Sequence, residues 1–268
     1  MQEQFTLTKV QELEFGILQF IKKVCDENQI RYYLAYGTLI GAVRHKGFIP
    51  WDDDIDLSMT RENYERFIQL FSEKQPTYQI LSLETDDQYF NNFIKIVDPT
   101  TKIIDTRNTK TYDSGVFIDI FPMDTFNDTK VVDICYKLES FKLLSFSKHK
   151  NIVYGDSKLK DLIRTLFWLL LRPVSPRFFA NQIEKQIQKY RVKDGKYIAF
   201  IPSKAKEKEI FPRDMFDELI ETPFEHLVLP APKRFDVVLK QFYDDYMTVP
   251  PKEKQIYIHE FEAYKLED

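Results

Sequence analysis

Four aspartates fall within five positions, Asp52-Asp53-Asp54-Ile55-Asp56, and the last two open an alternating stretch that runs to Met59. In an extended backbone Asp54, Asp56 and Ser58 share one face, while Ile55, Leu57 and Met59 share the other. Carboxylates side by side against an apolar layer repel unless a cation compensates them. Oxygen donors with no cysteine nearby suit Mg²⁺ or Mn²⁺, and Mg²⁺ commonly completes its shell with water and substrate phosphate. The chemistry implied is metal-assisted handling of phosphate, with Asp54 and Asp56 as ligands, Asp53 as a further ligand and Asp52 as a secondary candidate. A bare Asp-x-Asp also describes a solvated acidic turn, so other residues must separate the two readings.

Gly37-Thr38 lies upstream, ahead of a short helix expected over Leu39 to His45. Backbone N–H groups at such a turn can hold phosphate oxygens. Further along, Gly115-Val-Phe-Ile-Asp-Ile-Phe-Pro-Met-Asp124 is apolar on both faces except at Asp119. Such a strand belongs in the middle of a sheet, where an ionised, unpaired Asp costs several kcal/mol or more. Asp119 is therefore the third site acid, either sharing the metal or accepting a proton. A buried Asp bonded to a backbone N–H is the bland alternative, and Asp124, past Pro122 in an expected loop, is a poorer substitute. Arg44, Lys46 and Lys95 are candidates to pair with phosphate, and His45 is a weaker candidate base.

Gly37-Thr38 followed by Asp54-Ile55-Asp56-Leu57 resembles the signature of the nucleotidyltransferase superfamily. The string from Tyr36 to Asp56, more than twenty contiguous positions, resembles the LicD family of phosphocholine transferases, to which fukutin-type transferases are related. The block from Gly115 to Pro122 is similar to a second LicD motif. The likeness is strong to Asp124, loose in the middle and moderate at the end. It implies an α+β fold with a nucleotidyltransferase-like mixed β-sheet core flanked by helices. It also implies transfer of phosphocholine from CDP-choline to a hydroxyl of a cell-surface glycan precursor, of teichoic acid or lipopolysaccharide type, releasing CMP with two Mg²⁺ or Mn²⁺ ions. Choline has no hydrogen-bond donor on its trimethylammonium, so aromatic faces must select it; Tyr33, Phe48 and Trp51 lie near the motif. Alternatives are transfer of another phospho-alditol or a nucleotidyl group on the same scaffold, or a non-catalytic glycan-binding relative.

The supporting elements follow from pattern. A helix capped at Thr8 is expected to about Asp26, then a strand over Ile30 to Tyr36, a helix over Glu62 to Glu73, and strands over Tyr78 to Leu83, Asn92 to Val97 and Lys102 to Arg107. Residues 1–126 read as the catalytic core, 127–194 as a helical subdomain and 195–268 as a Pro-punctuated segment that packs back and completes the acceptor site. At 268 residues with a net charge of −4, the chain does not read as a nucleic-acid binder. Cys25 and Cys135 sit on apolar helical patterns and read as free thiols. The N-terminus lacks signal-peptide character, so a cytoplasmic protein is expected.

Between Lys137 and Arg177 nine Lys or Arg residues face three acids, and Leu166-Phe-Trp-Leu-Leu-Leu171 runs through this stretch. That run is too short to span a bilayer. With Lys158, Lys160, Arg164 and Arg172 around it, it suits either a helix lying on the anionic inner face of the plasma membrane with Trp168 at headgroup level, or a buried core helix. The first would bring the enzyme to a lipid-linked acceptor.

Overall fold

The computed structural model describes residues 4–73, 77–105, 114–147, 157–255 and 261–266. The fold is α+β. Helix α1 (Leu7–Glu27) is capped by Thr6, whose side chain accepts from Lys9 N–H, rather than by Thr8. Its Ile17, Leu18 and Ile21 are buried in the main core. Strand β1 (Tyr33–Leu34) is shorter than expected, because the chain turns at Tyr36, φ 42°, into α2 (Tyr36–Ile40) and a π-helical turn, Gly41–His45. Strand β2 (Asp56–Thr60) leads directly into α3 (Arg61–Glu73).

Strands β3 (Gln79–Leu81), β4 (Ile94–Val97), β5 (Thr101–Asp105) and β6 (Phe117–Phe126) follow. The remainder of the strand expected to Arg107 lies outside the described residues. The main sheet has the order β1-β2-β6-β4-β3, with β2 and β6 parallel and the other neighbours antiparallel. Strand β6 is thus central, as its two apolar faces require.

Asp124 is not in a loop: β6 continues through Pro122, and Asp124 is fully buried with both oxygens on Arg61, at 2.9 and 2.6 Å. Pro122 is tolerated for a geometric reason. Asp119 N–H donates to Ile55 toward β2, so alternation turns the Pro122 nitrogen toward the opposite edge. There β4 has ended at Ile94, opposite Ile120, and β7 (Tyr197–Ala199) begins pairing only at Asp124.

Helices α4 (Lys130–Phe146), α5 (Lys158–Leu171) and α6 (Pro176–Tyr190) form the middle of the chain; residues 148–156, expected to end one helix and begin the next, lie outside the described residues. After β8 (Phe211–Pro212) the tail is more ordered than its prolines imply: β9 (Leu219–Phe224) and β10 (Leu227–Pro232) form a two-stranded hairpin. Helix α7 (Phe235–Tyr243) follows, and β11 (Phe261–Lys265) pairs with β5. Phe224, Leu229, Leu239 and Ala263 from this tail share one core with α1 and β2. Cys25 and Cys135 are buried free thiols.

Candidate active site

The parallel pairing of β2 with β6 sets Asp56 opposite Asp119, and the antiparallel pairing of β4 with β6 sets Lys95 opposite Asp119. Three adjacent strands therefore carry Asp56, Asp119 and Lys95 in one row. Lys95 Nζ lies 2.6 Å from Asp119 Oδ1 and 3.2 Å above the centre of the Phe117 ring. Burial lowers the Lys95 ammonium, and the nearby Asp119, Asp56 and Asp54 work against that shift. Lys95 was expected to meet donor phosphate; here it neutralises the third acid.

Asp56 is buried, and its carboxyl is pushed up first by desolvation and then by Asp54, Asp119 and Asp52, with Lys95 opposing. The loop before β2 gathers Asp52, Asp53 and Asp54, whose oxygens lie within 4.8 Å of one another. The tightest cluster is thus these three, with Asp54 linking it electrostatically to the Asp56–Asp119 row. Carboxylates clustered this closely form the hard oxygen donor set that a divalent cation takes. These residues fit such an ion.

The Gly37-Thr38 pair shapes this loop. A Cβ at Gly37 would stand 2.7 Å from Asp52 Oδ2, so glycine is what lets the carboxylate approach the backbone. The Thr38 hydroxyl accepts from Asp56 N–H at 2.8 Å and fixes the start of β2.

Several expected ligands are turned to other tasks. Arg44 donates to the Tyr246 carbonyl at 2.6 Å and to His45 Nε2 at 2.9 Å, which ties the π-helical turn to the tail. Burial and the adjacent Arg44 lower the His45 imidazole, so it is a neutral acceptor. Lys46 donates to the Val43 carbonyl. Tyr33 is buried and stacked on Phe216 at 4.9 Å; Phe48 packs on Phe224; Trp51 lies edge-on to His45 and against the core.

Other residues enter the site unannounced by motif. Glu14, on α1, is 2 % exposed, and its Oε2 has no hydrogen-bond partner. Its carboxyl is raised well above the usual range by burial and then by Asp54, Asp53, Asp52 and Asp119. One turn earlier, Gln11 donates to the Asp52 carbonyl at 2.8 Å, so α1 is docked onto the acidic loop. On the other side, Tyr36 donates to Glu209 at 2.8 Å.

A family model described as LicD/FKTN/FKRP, nucleotidyltransferase domain, matches residues 29–168. The chain is 34% identical to the lipopolysaccharide cholinephosphotransferase LicD of Haemophilus influenzae over 98% of its own length and 100% of that protein. It is 38% identical to the human ribitol 5-phosphate transferase FKRP over 19% of this chain and 10% of that one. An uncharacterized protein of Rickettsia prowazekii is 26% identical over 53% of this chain and 49% of its own. The glycine that admits Asp52, the acids of the loop before β2, Asp56 of β2 and the facing acid of β6 all lie inside the matched region, and the chain belongs to the LicD/FKTN/FKRP nucleotidyltransferase family.

Proposed function

We propose that this protein transfers phosphocholine from CDP-choline to a hydroxyl of a cell-surface glycan precursor and releases CMP. The observation that carries the reading is the end-to-end likeness to a cholinephosphotransferase, joined to a row of acids suited to phosphoryl transfer. The acceptor oxygen bonds to the phosphorus that bears choline, the bond from that phosphorus to the bridging oxygen breaks, and CMP leaves with the bridging oxygen. Asp52, Asp53, Asp54 and Asp56 would hold Mg²⁺ or Mn²⁺, which when bound neutralises charge on the transferring group. Asp119 completes the ion's shell or accepts the hydroxyl proton, and Lys95 keeps it in the carboxylate form that both tasks need. The Gly37-Thr38 backbone, beside Asp52, would receive donor phosphate in this reading.

The acceptor in this reading is lipid-linked and met at an anionic membrane surface. Helix α5 supports this: Leu159, Leu162, Leu166, Leu169 and Leu170 are exposed, and so are Lys158, Lys160, Arg164 and Arg172. An exposed apolar face with flanking cations fits the interface of anionic lipid. Trp168 does not reach that face; it is buried and donates to the Ser147 carbonyl at 3.0 Å. Among the described residues no helix is long and apolar enough to cross a membrane.

The test is CMP release from CDP-choline with Mg²⁺ and a panel of glycan acceptors. Acceptor-dependent CMP that disappears in Asp54→Ala supports the reading. Consumption of CTP instead would make the protein a cytidylyltransferase.

A further inference from the structure

The face of the sheet that bears the acids continues into aromatic side chains. On β6 the residue two beyond Asp119 on the same face is Phe121, and on the β4 segment the residue two before Lys95 is Phe93; their rings are 4.7 Å apart. Phe200 joins Phe121 at 5.0 Å. Tyr36 stands edge-on to Phe121 at 5.2 Å and meets Phe242 at 5.5 Å, and Phe242 is followed on α7 by Tyr243.

Tyr36 links the acid-bearing strand to a separate carboxylate: its ring meets Phe121, two residues beyond Asp119, and its hydroxyl donates to Glu209. Tyr243 sits beside Phe242 with ring centroids 5.8 Å apart. Both phenols are raised, first by desolvation and then by charges that include Glu209 and Asp56. Glu209 is 2 % exposed; Tyr36 donates to its Oε1, and Ser203 and the Phe200 backbone also hydrogen-bond to its carboxyl. Among the described residues no Lys, Arg or His lies within ion-pair distance of it. Phosphoryl transfer at the acid row has no use for this buried carboxyl.

A quaternary ammonium fits what is left. It donates no hydrogen bond, so it gains from ring faces and from a negative charge beyond them. A phenol that donates to a carboxylate has a more electron-rich ring, which strengthens that attraction. We infer that Tyr36, Phe242 and Tyr243 form the subsite for the donor's trimethylammonium group, with Glu209 as a positioning residue acting through the Tyr36 hydroxyl. The metal-binding acids then hold phosphate on one side of Tyr36 and Tyr243 while the cationic end rests toward Glu209. The inference rests on the phosphocholine reading above and replaces Tyr33, Phe48 and Trp51 as the aromatic contacts.

Calorimetric titrations of CDP-choline and of CDP into the Mg²⁺-loaded protein test it, because CDP lacks the choline; its terminal phosphate carries an extra negative charge, so each variant is compared with the wild type for each ligand separately. Tyr243 is 41% exposed, so Tyr243→Leu should fold normally. It should weaken CDP-choline roughly three- to thirtyfold, the range of a cation–π contact, and leave CDP within about twofold. Tyr243→Phe keeps the ring and should stay near wild type; Glu209→Gln should lose part of the preference for CDP-choline over CDP. If the wild type prefers CDP-choline and Tyr243→Leu, Phe242→Leu and Glu209→Gln all keep that preference, the subsite is refuted while the phosphocholine reading stands. If the wild type binds both alike, the subsite falls; if it binds neither, the phosphocholine reading falls with it.

Discussion

Lys95 and Asp119 form a buried ion pair, 2.6 Å from Nζ to Oδ1, inside the row of residues that would handle phosphate. Removing one member of such a pair leaves a buried charge uncompensated and costs about 3–5 kcal/mol. Lys95→Met should therefore lower unfolding free energy in urea by about 3 kcal/mol without added metal. Because a divalent cation near Asp119 replaces the missing positive charge, millimolar Mg²⁺ should restore more stability to Lys95→Met than it adds to the wild type. Equal Mg²⁺ effects on the two proteins would mean that no ion reaches Asp119.

Glu14 should act in the opposite sense. Its proton affinity is raised first by burial and then by the charges of Asp54, Asp53, Asp52 and Asp119, so its ionised form opposes the metal-free fold. Glu14→Gln should stabilise the metal-free protein at pH 8, as read in urea melts. It should also shrink the stabilisation that Mg²⁺ confers and weaken Mn²⁺ binding several-fold in a titration followed by electron paramagnetic resonance. Unchanged Mn²⁺ affinity would leave Glu14 as a buried acid with no part in ion binding.

The carboxyl of Glu209 is pushed up from 4.5 to about 7 by burial, partly offset by hydrogen bonds from Ser203, Tyr36 and the Phe200 backbone. With its folded value above its unfolded one, the native state holds the extra proton between those limits. Its contribution is thus intact below pH 4.5 and is lost as pH rises toward 7. At about 1.4 kcal/mol per pH unit, that interval removes about 3 kcal/mol. The stability difference between Glu209→Gln and wild type, from urea melts at pH 4.5 and pH 7.5, should move in favour of the variant by about that amount. A difference independent of pH would place the Glu209 titration near its ordinary value.

Helix α5 separates two kinds of residue within one apolar run. Leu170 is 70% exposed and Trp168 is 9% exposed. Leu166→Glu with Leu170→Glu should leave the melting temperature nearly unchanged and abolish flotation with anionic vesicles, and Arg164→Glu should weaken it in a salt-dependent way. Trp168→Ala should instead cost about 3 kcal/mol of stability through the cavity it leaves. Flotation that survives the double Glu variant would remove α5 as the membrane contact.

Much of this site was legible from local pattern. Alternation from Asp54 to Met59 marked the strand that carries Asp56, although Asp54 lies in the loop before it, and the apolar flanks of Asp119 announced a central strand with one polar residue. Glu14 carried no such mark, because on an amphipathic helix it looks like a solvent-facing acid until α1 docks on the Asp52 loop. Asp124 was misplaced because Pro122 reads as a strand breaker, and only the changeover from β4 to β7 on one edge of β6 explains its place. Arg44 and Lys95 read as candidates to pair with phosphate, and the partners the structure gives them, the Tyr246 carbonyl and Asp119, come from distant segments. The Leu166 to Leu171 run is compatible with a buried or an exposed helix, and only its packing separates the two.

The most direct test follows phosphorus itself. In a ³¹P NMR time course of CDP-choline, glycan acceptor and Mg²⁺ with the wild-type protein, the two pyrophosphate resonances should give way to equal amounts of the CMP monoester and a glycan-linked choline phosphodiester, with no change in Asp119→Asn. Free phosphocholine together with a cytidylyl diester on the glycan would show that the nucleotide moves instead, and would contradict the account.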